Sequence, residues 1–366
     1  MTSPTAKPGV MLIKPYVAGG SNLEGRGDVI KLSSNEGAFG PSPKAQAAYT
    51  KGAAELHRYP DGGSTELRET IAKVHGLNAD QIVCGAGSDE LIALLCSSYA
   101  SEGDEILYSQ YGFLMYPISA MAAGATPVTA PETDLTANVD ALLAAVTDRT
   151  RILFLANPNN PTGTYLPASE VKRLRDNLRD DVLLVIDAAY AEYIAHEDYT
   201  AGIELVDAGD NVIMTRTFSK IHGLGGVRLG WAYGPANLID VLNRARGPFN
   251  VNSAALDAGV AAIQDKEFTE KCVAHNIKWL AWTCDELRGL GLTVTDSAGN
   301  FLLVEFDGTS KSNAAAADEY LQGKGIIVRS VASYGLPDHL RITIGLEEEM
   351  RCVIDALRQF MGKNSD

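Results

Sequence analysis

Short apolar runs recur through the middle of the chain, and most of the gaps between them carry helical periodicity. The runs are QIVCGAG, DEILYSQY, ATPVTAP, RILFLANP, VLLVIDAAY, NVIMTRTFS and RLGWAYG. Runs that are apolar throughout, instead of alternating, belong to strands covered on both faces. Helical periodicity falls over 89–99, 111–122, 139–146 and 167–178. A further helix is expected over 65–76, where Leu67, Ile71 and Val74 follow the turn PDGGS. The pattern predicts an α/β domain with a mostly parallel sheet of about seven strands covered by helices.

The two ends of the chain read differently. The first 40 residues are rich in Pro, Gly and Ser and form an extended arm. From about Pro235 long helices reach Arg288, followed by NFLLVEF, AAAADEYLQGKG, IIVRS, LRITIG and a final helix EEMRCVIDALRQFM. That shift marks a second, smaller α+β domain. The expected division is 1–40 as arm and part of the small domain, 41–250 as the large domain and 251–366 as the small C-terminal domain.

Composition narrows the function classes. A net charge of −15 argues against a nucleic-acid or anionic-membrane surface. No apolar run approaches the roughly 18 residues of a membrane span, and MTSPTAKPGVMLIKPYV holds no signal-peptide core. Cys84, Cys96, Cys272, Cys284 and Cys352 form no CxxC pair, and the histidines show no ligand spacing. Reduced core thiols, no metal site and a cytoplasmic location are expected.

In open α/β sheets ligands bind beyond the carboxyl ends of the strands, so the residues just after each run carry the chemistry. CGAGSDELIALL ends a strand, turns at Gly85 and Gly87, and opens a helix at Ser88-Asp89. Free N–H groups at such a start cradle a phosphate, although the same residues also serve as a plain N-cap. LFLANPNNPTG fixes a turn with two prolines and aims amide side chains. In LLVIDAAYAEY, Asp187 follows an uncharged run, and a buried carboxylate needs a partner; the protonated ring nitrogen of pyridoxal phosphate (PLP) is one. Tyr190 stands three residues on. In TRTFSKIHGLGGVRLGW, Lys220 sits where burial lowers an amine's pKa and makes it a nucleophile. Thr217 and Ser219 present hydroxyls beside it, and Arg228 offers a bidentate anion clamp.

As an ordered set, NPTG at 160–163, DAAY at 187–190 and SK with Arg228 downstream resemble the fold-type I PLP aminotransferases over nearly the whole chain. The resemblance implies that Lys220 carries the cofactor as a Schiff base and moves the proton, and that Asp187 binds the ring nitrogen. It implies that Asn160 and Tyr190 face the ring oxygen and that Tyr111 stacks on the ring. Ser88, Asp89, Thr217, Ser219 and Arg228 would hold the phosphate, with Gly87 giving the turn. Tyr59, in RYPDGG, is similar to the tyrosine that reaches the phosphate from a neighbouring subunit, which implies a homodimer. The segments KLSSNEGAFGPSP, RYPDGGSTELRE and GIIVRSVASYGLPDHLRITIG resemble the histidinol-phosphate branch of that family. This implies a ping-pong exchange between glutamate and a small phosphorylated imidazole ketone, with Arg341 as main anion clamp and Arg329 and Tyr16 as further phosphate contacts. NEGAFG stands where NENPLG is common in that branch, which bears on substrate breadth.

Other readings fit less well. An aromatic amino-acid aminotransferase would use the same Lys220 and Asp187 without needing Arg329. A dinucleotide-binding protein would want GxGxxG, and GAGSDE lacks the last glycine. A PLP-binding regulator would carry a fused basic segment, for which the chain has no spare length.

Overall fold

The structure is a computed structural model that describes residues 4–55, 57–308 and 312–362. Its centre is a seven-stranded sheet: β1 Ile82–Gly85, β2 Glu105–Ser109, β3 Thr126–Ala130, β4 Thr150–Ala156, β5 Leu183–Asp187, β6 Val212–Thr217 and β7 Gly230–Tyr233. The strand order is β1-β7-β6-β5-β4-β2-β3, parallel except for β7, which runs antiparallel to both neighbours. Each of the seven apolar runs is one of these strands. Six of the seven are buried at nearly every position, as uniformly apolar sequence requires; β3, at the edge, is half exposed.

Helices cover both faces and end where the sequence supplies stops. The helix Thr65–His75 closes on Gly76 in the left-handed region (φ 71°), where glycine is unstrained. The helix expected over 111–122 starts later, at Met115, because residues 111–114 turn instead of continuing the helix.

A four-stranded antiparallel sheet forms the smaller unit: β8 Thr293–Val294, β9 Phe301–Glu305, β10 Arg329–Ser330 and β11 His339–Thr343, in the order β8-β9-β11-β10. The run IIVRS divides because its two halves have different partners. Ile326–Ile327 pairs in parallel with Ile30–Lys31 of the arm, and Arg329–Ser330 pairs with β11. Leu32 is accordingly buried in the small unit's core with Trp279, Val304 and Leu357.

The helix Ser253–Gln264 packs with the large sheet through Ala255, Leu256, Ala258 and Ile263, beyond position 250. The next helix, Lys266–Gly289, joins the small core through Trp279, Cys284 and Leu287. Between them buried Asp265 accepts a hydrogen bond from Lys44 Nζ at 2.8 Å, pinning the joint to the large domain. All five cysteines are free; Cys84, Cys96 and Cys284 are core thiols, but Cys272 is half-buried and Cys352 lies exposed on the last helix. Among the described residues no helix is long and apolar enough to cross a membrane.

Candidate active site

Strand register lines up the chemistry along one edge of the large sheet. Gly230 lies opposite both Gly85 and Thr217, and Asp187 lies between Ala156 and Thr215. A cavity of about 310 Å³ opens there, within the range of small-molecule sites. Its lining includes Ser88, Asp89, Asn160, Asp187, Tyr190, Thr217, Ser219, Lys220 and Arg228 from the large domain, and Arg329 and Arg341 from the small one. Tyr16 and Gly19 of the arm complete it. Residues spread from 16 to 341 thus meet at one point.

Lys220 is half-buried, and its Nζ donates to the main-chain carbonyl of Ser34 at 3.1 Å. Burial, with Arg341 adding repulsion, lowers its pKa to about 8. About a tenth is therefore the nucleophilic free amine at pH 7, far more than for an unperturbed lysine. Asp187 shows the opposite response. Desolvation raises its pKa to about 6, while the Tyr116 hydroxyl, donating to Oδ2 at 2.8 Å, and Thr215, donating to Oδ1 at 3.3 Å, pull the other way. Its hydrogen-bond partners Tyr116 and Thr215 are neutral, and a protonated ring nitrogen would supply the cation this carboxylate lacks.

The phosphate end is built tightly. The helix Ser88–Tyr99 starts at Gly87, whose φ is 90°, and a Cβ there would lie 2.4 Å from Arg228 Nη2. At Gly230 a Cβ would meet Ser88 N at 2.4 Å. Only glycine leaves the free N–H groups of the helix start open. Arg228 reaches Asp89 at 3.1 Å and Ser219 Oγ at 3.4 Å, and Thr217 Oγ1 accepts from Ser219 N. Cradle, amine and unpaired carboxylate fit PLP.

At the other end Arg341 is buried and donates to Asn160 Oδ1 at 2.5 Å and to Ser33 O at 2.8 Å, leaving Nε without a partner. Arg329 donates to Val17 O at 2.8 Å, with Tyr16's ring 6.0 Å from its guanidinium carbon. Two guanidinium groups at one end make an anion pocket.

Neither Tyr111 nor Tyr59, the latter expected in a neighbouring subunit's site, lines this chain's cavity. Tyr111 does not line the cavity; because residues 111–114 turn, it packs against Leu303, Val331, Tyr334 and Leu336, and Phe113 faces the cavity instead. Tyr59 is 83% exposed and stacks on Phe249 with ring centres 4.7 Å apart, away from this chain's cavity. Three residues escaped the sequence reading: Asn35, Tyr116 and Thr215. Tyr116 sits in an apolar helical stretch that reads as core, and its ring does stack on Phe154. Only strand register could have flagged Thr215.

The chain belongs to the class I and II aminotransferases, whose family model matches residues 27–357. As a member it is a transaminase that works with pyridoxal 5′-phosphate. Its relatives include the histidinol-phosphate aminotransferase of Paramagnetospirillum magneticum, 61% identical over 99% of this chain and 100% of the relative. The enzyme of that name from Rhodospirillum rubrum is 58% identical over 98% of this chain and 97% of the relative. Among solved structures, the histidinol-phosphate aminotransferase of Sinorhizobium meliloti in complex with pyridoxal 5′-phosphate superposes with a TM-score of 0.90 at 27% identity, covering 99% and 98% of the two chains.

Proposed function

We propose that this chain moves an amino group between glutamate and imidazole acetol phosphate in histidine biosynthesis, giving L-histidinol phosphate and 2-oxoglutarate. The carrying observation is the pair of arginines, Arg341 and Arg329, at the end of a cavity that also holds Lys220 and Asp187. One anion pocket has to accept the carboxylate of one substrate and the phosphate of the other, and a guanidinium fork suits both. The 61% identity to a histidinol-phosphate aminotransferase supports the same substrates.

When bound, the cofactor supplies an electron sink that acidifies the amino-bearing carbon of the substrate. Lys220 would anchor it, and would take the proton from that carbon and return it, a task suited to a pKa of about 8. Asp187 keeps the proton on the ring nitrogen. Asn160 and Tyr190 would face the ring oxygen, and Ser88, Asp89, Thr217, Ser219 and Arg228 would hold the phosphate. Arg341 clamps either substrate, whereas Arg329 and Tyr16 favour the phosphate-bearing one. The two half-reactions alternate, so initial-rate lines are parallel. The enzyme works in the cytoplasm as a homodimer, in which exposed Tyr59 of one copy completes the phosphate site of the other.

Mixing the PLP-loaded protein separately with L-histidinol phosphate, L-phenylalanine and L-tyrosine tests the substrate. Loss of the cofactor's visible absorbance should be fast with histidinol phosphate and slow with the others. Fast loss with the aromatic acids alone overturns the substrate and leaves the roles of Lys220 and Asp187 standing.

A further inference from the structure

Asn35 is 1% exposed and holds a left-handed backbone, φ 54°, which asparagine tolerates better than most residues. Its N–H donates to Thr343 Oγ1 at 2.9 Å, and its carbonyl accepts from Asn300 Nδ2 at 3.1 Å. The Thr343 hydroxyl in turn donates to Asn35 Oδ1 at 3.2 Å, and Asn35 Nδ2 donates to the Tyr190 hydroxyl oxygen at 2.9 Å. The order of donors has one consistent direction. Thr343 has a single hydrogen, and turning the amide over would leave that hydrogen without its acceptor. Nδ2 therefore faces Tyr190, and the phenol oxygen is an acceptor in this bond.

We propose that Asn35 is a positioning residue that sets the direction of the Tyr190 hydroxyl: by donating to the phenol oxygen it leaves the hydroxyl hydrogen to be given into the cavity. The proposal rests on the reading of this cavity as the cofactor's. A buried hydroxyl is a free rotor unless its oxygen is engaged, and a donor already aimed at a developing or resident negative oxygen needs no reorganisation. The chain of bonds runs from small-sheet Thr343 through the arm to Tyr190 after β5, so the small unit sets a donor on the large one. The same left-handed turn places the Ser34 carbonyl against Lys220 Nζ. Burial raises the Tyr190 pKa, and the Asn35 bond counteracts it, as expected when the amide donates to the phenol oxygen.

The test is the pH midpoint of the visible colour change of bound PLP in the intact holoenzyme. A donor to the ring oxygen stabilises the more anionic, deprotonated form, so removing it raises the midpoint. Tyr190→Phe is expected to raise it by about one pH unit. Asn35→Gly, which keeps the left-handed backbone, is expected to give most of that shift, and the double variant no more than Tyr190→Phe alone. Thr343→Ser should leave the midpoint in place, and Thr343→Val should raise it. If Tyr190→Phe shifts the midpoint and Asn35→Gly does not, the inference falls while Tyr190 keeps its place against the cofactor. An equal Asn35→Gly shift in the Tyr190→Phe background also overturns it, because Asn35 then acts by another route. No shift in Tyr190→Phe removes the reading of the cavity and the inference with it.

Discussion

The two ends of the cavity are built in different ways. The end beneath Lys220 and Asp187 rests on adjacent strands, where Thr217, Thr215 and Asp187 are fixed by register and by a backbone buried on both faces. The anion end is assembled across domains. Arg341 reaches it from β11, Arg329 from β10, and Arg329 donates a hydrogen bond to the arm at Val17. The strand-built end gives a fixed reaction centre common to every substrate. The cross-domain end can change its contacts with the substrate, as an enzyme with two unlike substrates requires.

The deepest break in that comparison is at the fixed end. Lys220→Ala should lower turnover with both substrates by at least about 10³-fold, since nucleophile and proton carrier are lost together. Stopped-flow half-reactions measure this, and loss with only one substrate would mean that the reaction centre is not shared. The next effect is on the cofactor-free protein. Asp187 has a folded-state pKa of about 6, above its ordinary 3.8. A raised value means its contribution to stability is present below pH about 4 and lost as the pH rises through about 6. The loss amounts to about 3 kcal/mol. Urea unfolding of the cofactor-free protein between those pH values should show this decline, and Asp187→Asn should abolish it.

The cross-domain end should yield smaller and more selective effects. Arg329→Ala is expected to raise the KM for histidinol phosphate about 10-fold while changing the glutamate half-reaction little. Equal effects on both would make Arg329 a general clamp like Arg341. Smallest of all, Tyr59→Phe should weaken PLP binding a few-fold, the size of one peripheral hydrogen bond. Equilibrium dialysis reads that change, and unaltered affinity would remove Tyr59 from the phosphate site.

The same division explains what could be read from the chain. All seven large-sheet strands were visible because each is a near-continuous apolar run, and the residues at their ends followed from the rule that ligands bind there. Ser88, Asp187, Thr217, Lys220 and Arg228 were found in this way and do line the cavity. Asn35 was not visible, since its partners Tyr190 and Thr343 are 155 and 308 positions away. Tyr111 shows the limit of periodicity. The apolar pattern predicts a helix from 111, yet four residues of turn rotate Tyr111 toward the small sheet and bring Phe113 to the cavity. Arg329 and Arg341 came from resemblance alone, because nothing in their local sequence separates a buried clamp from a strand-edge charge.

The parallel pairing of Ile30–Lys31 with Ile326–Ile327 has a consequence for how the molecule comes into being. A ribosome makes the chain from its N-terminus at about 5–20 residues per second. The large sheet is complete once residue 233 has emerged, whereas the arm waits for its partner strand until 327. Asn35 waits longer still, for Thr343. The anion end of the cavity is thus a late product of synthesis, and a chain cut short within its last strand has its large sheet but no finished active site.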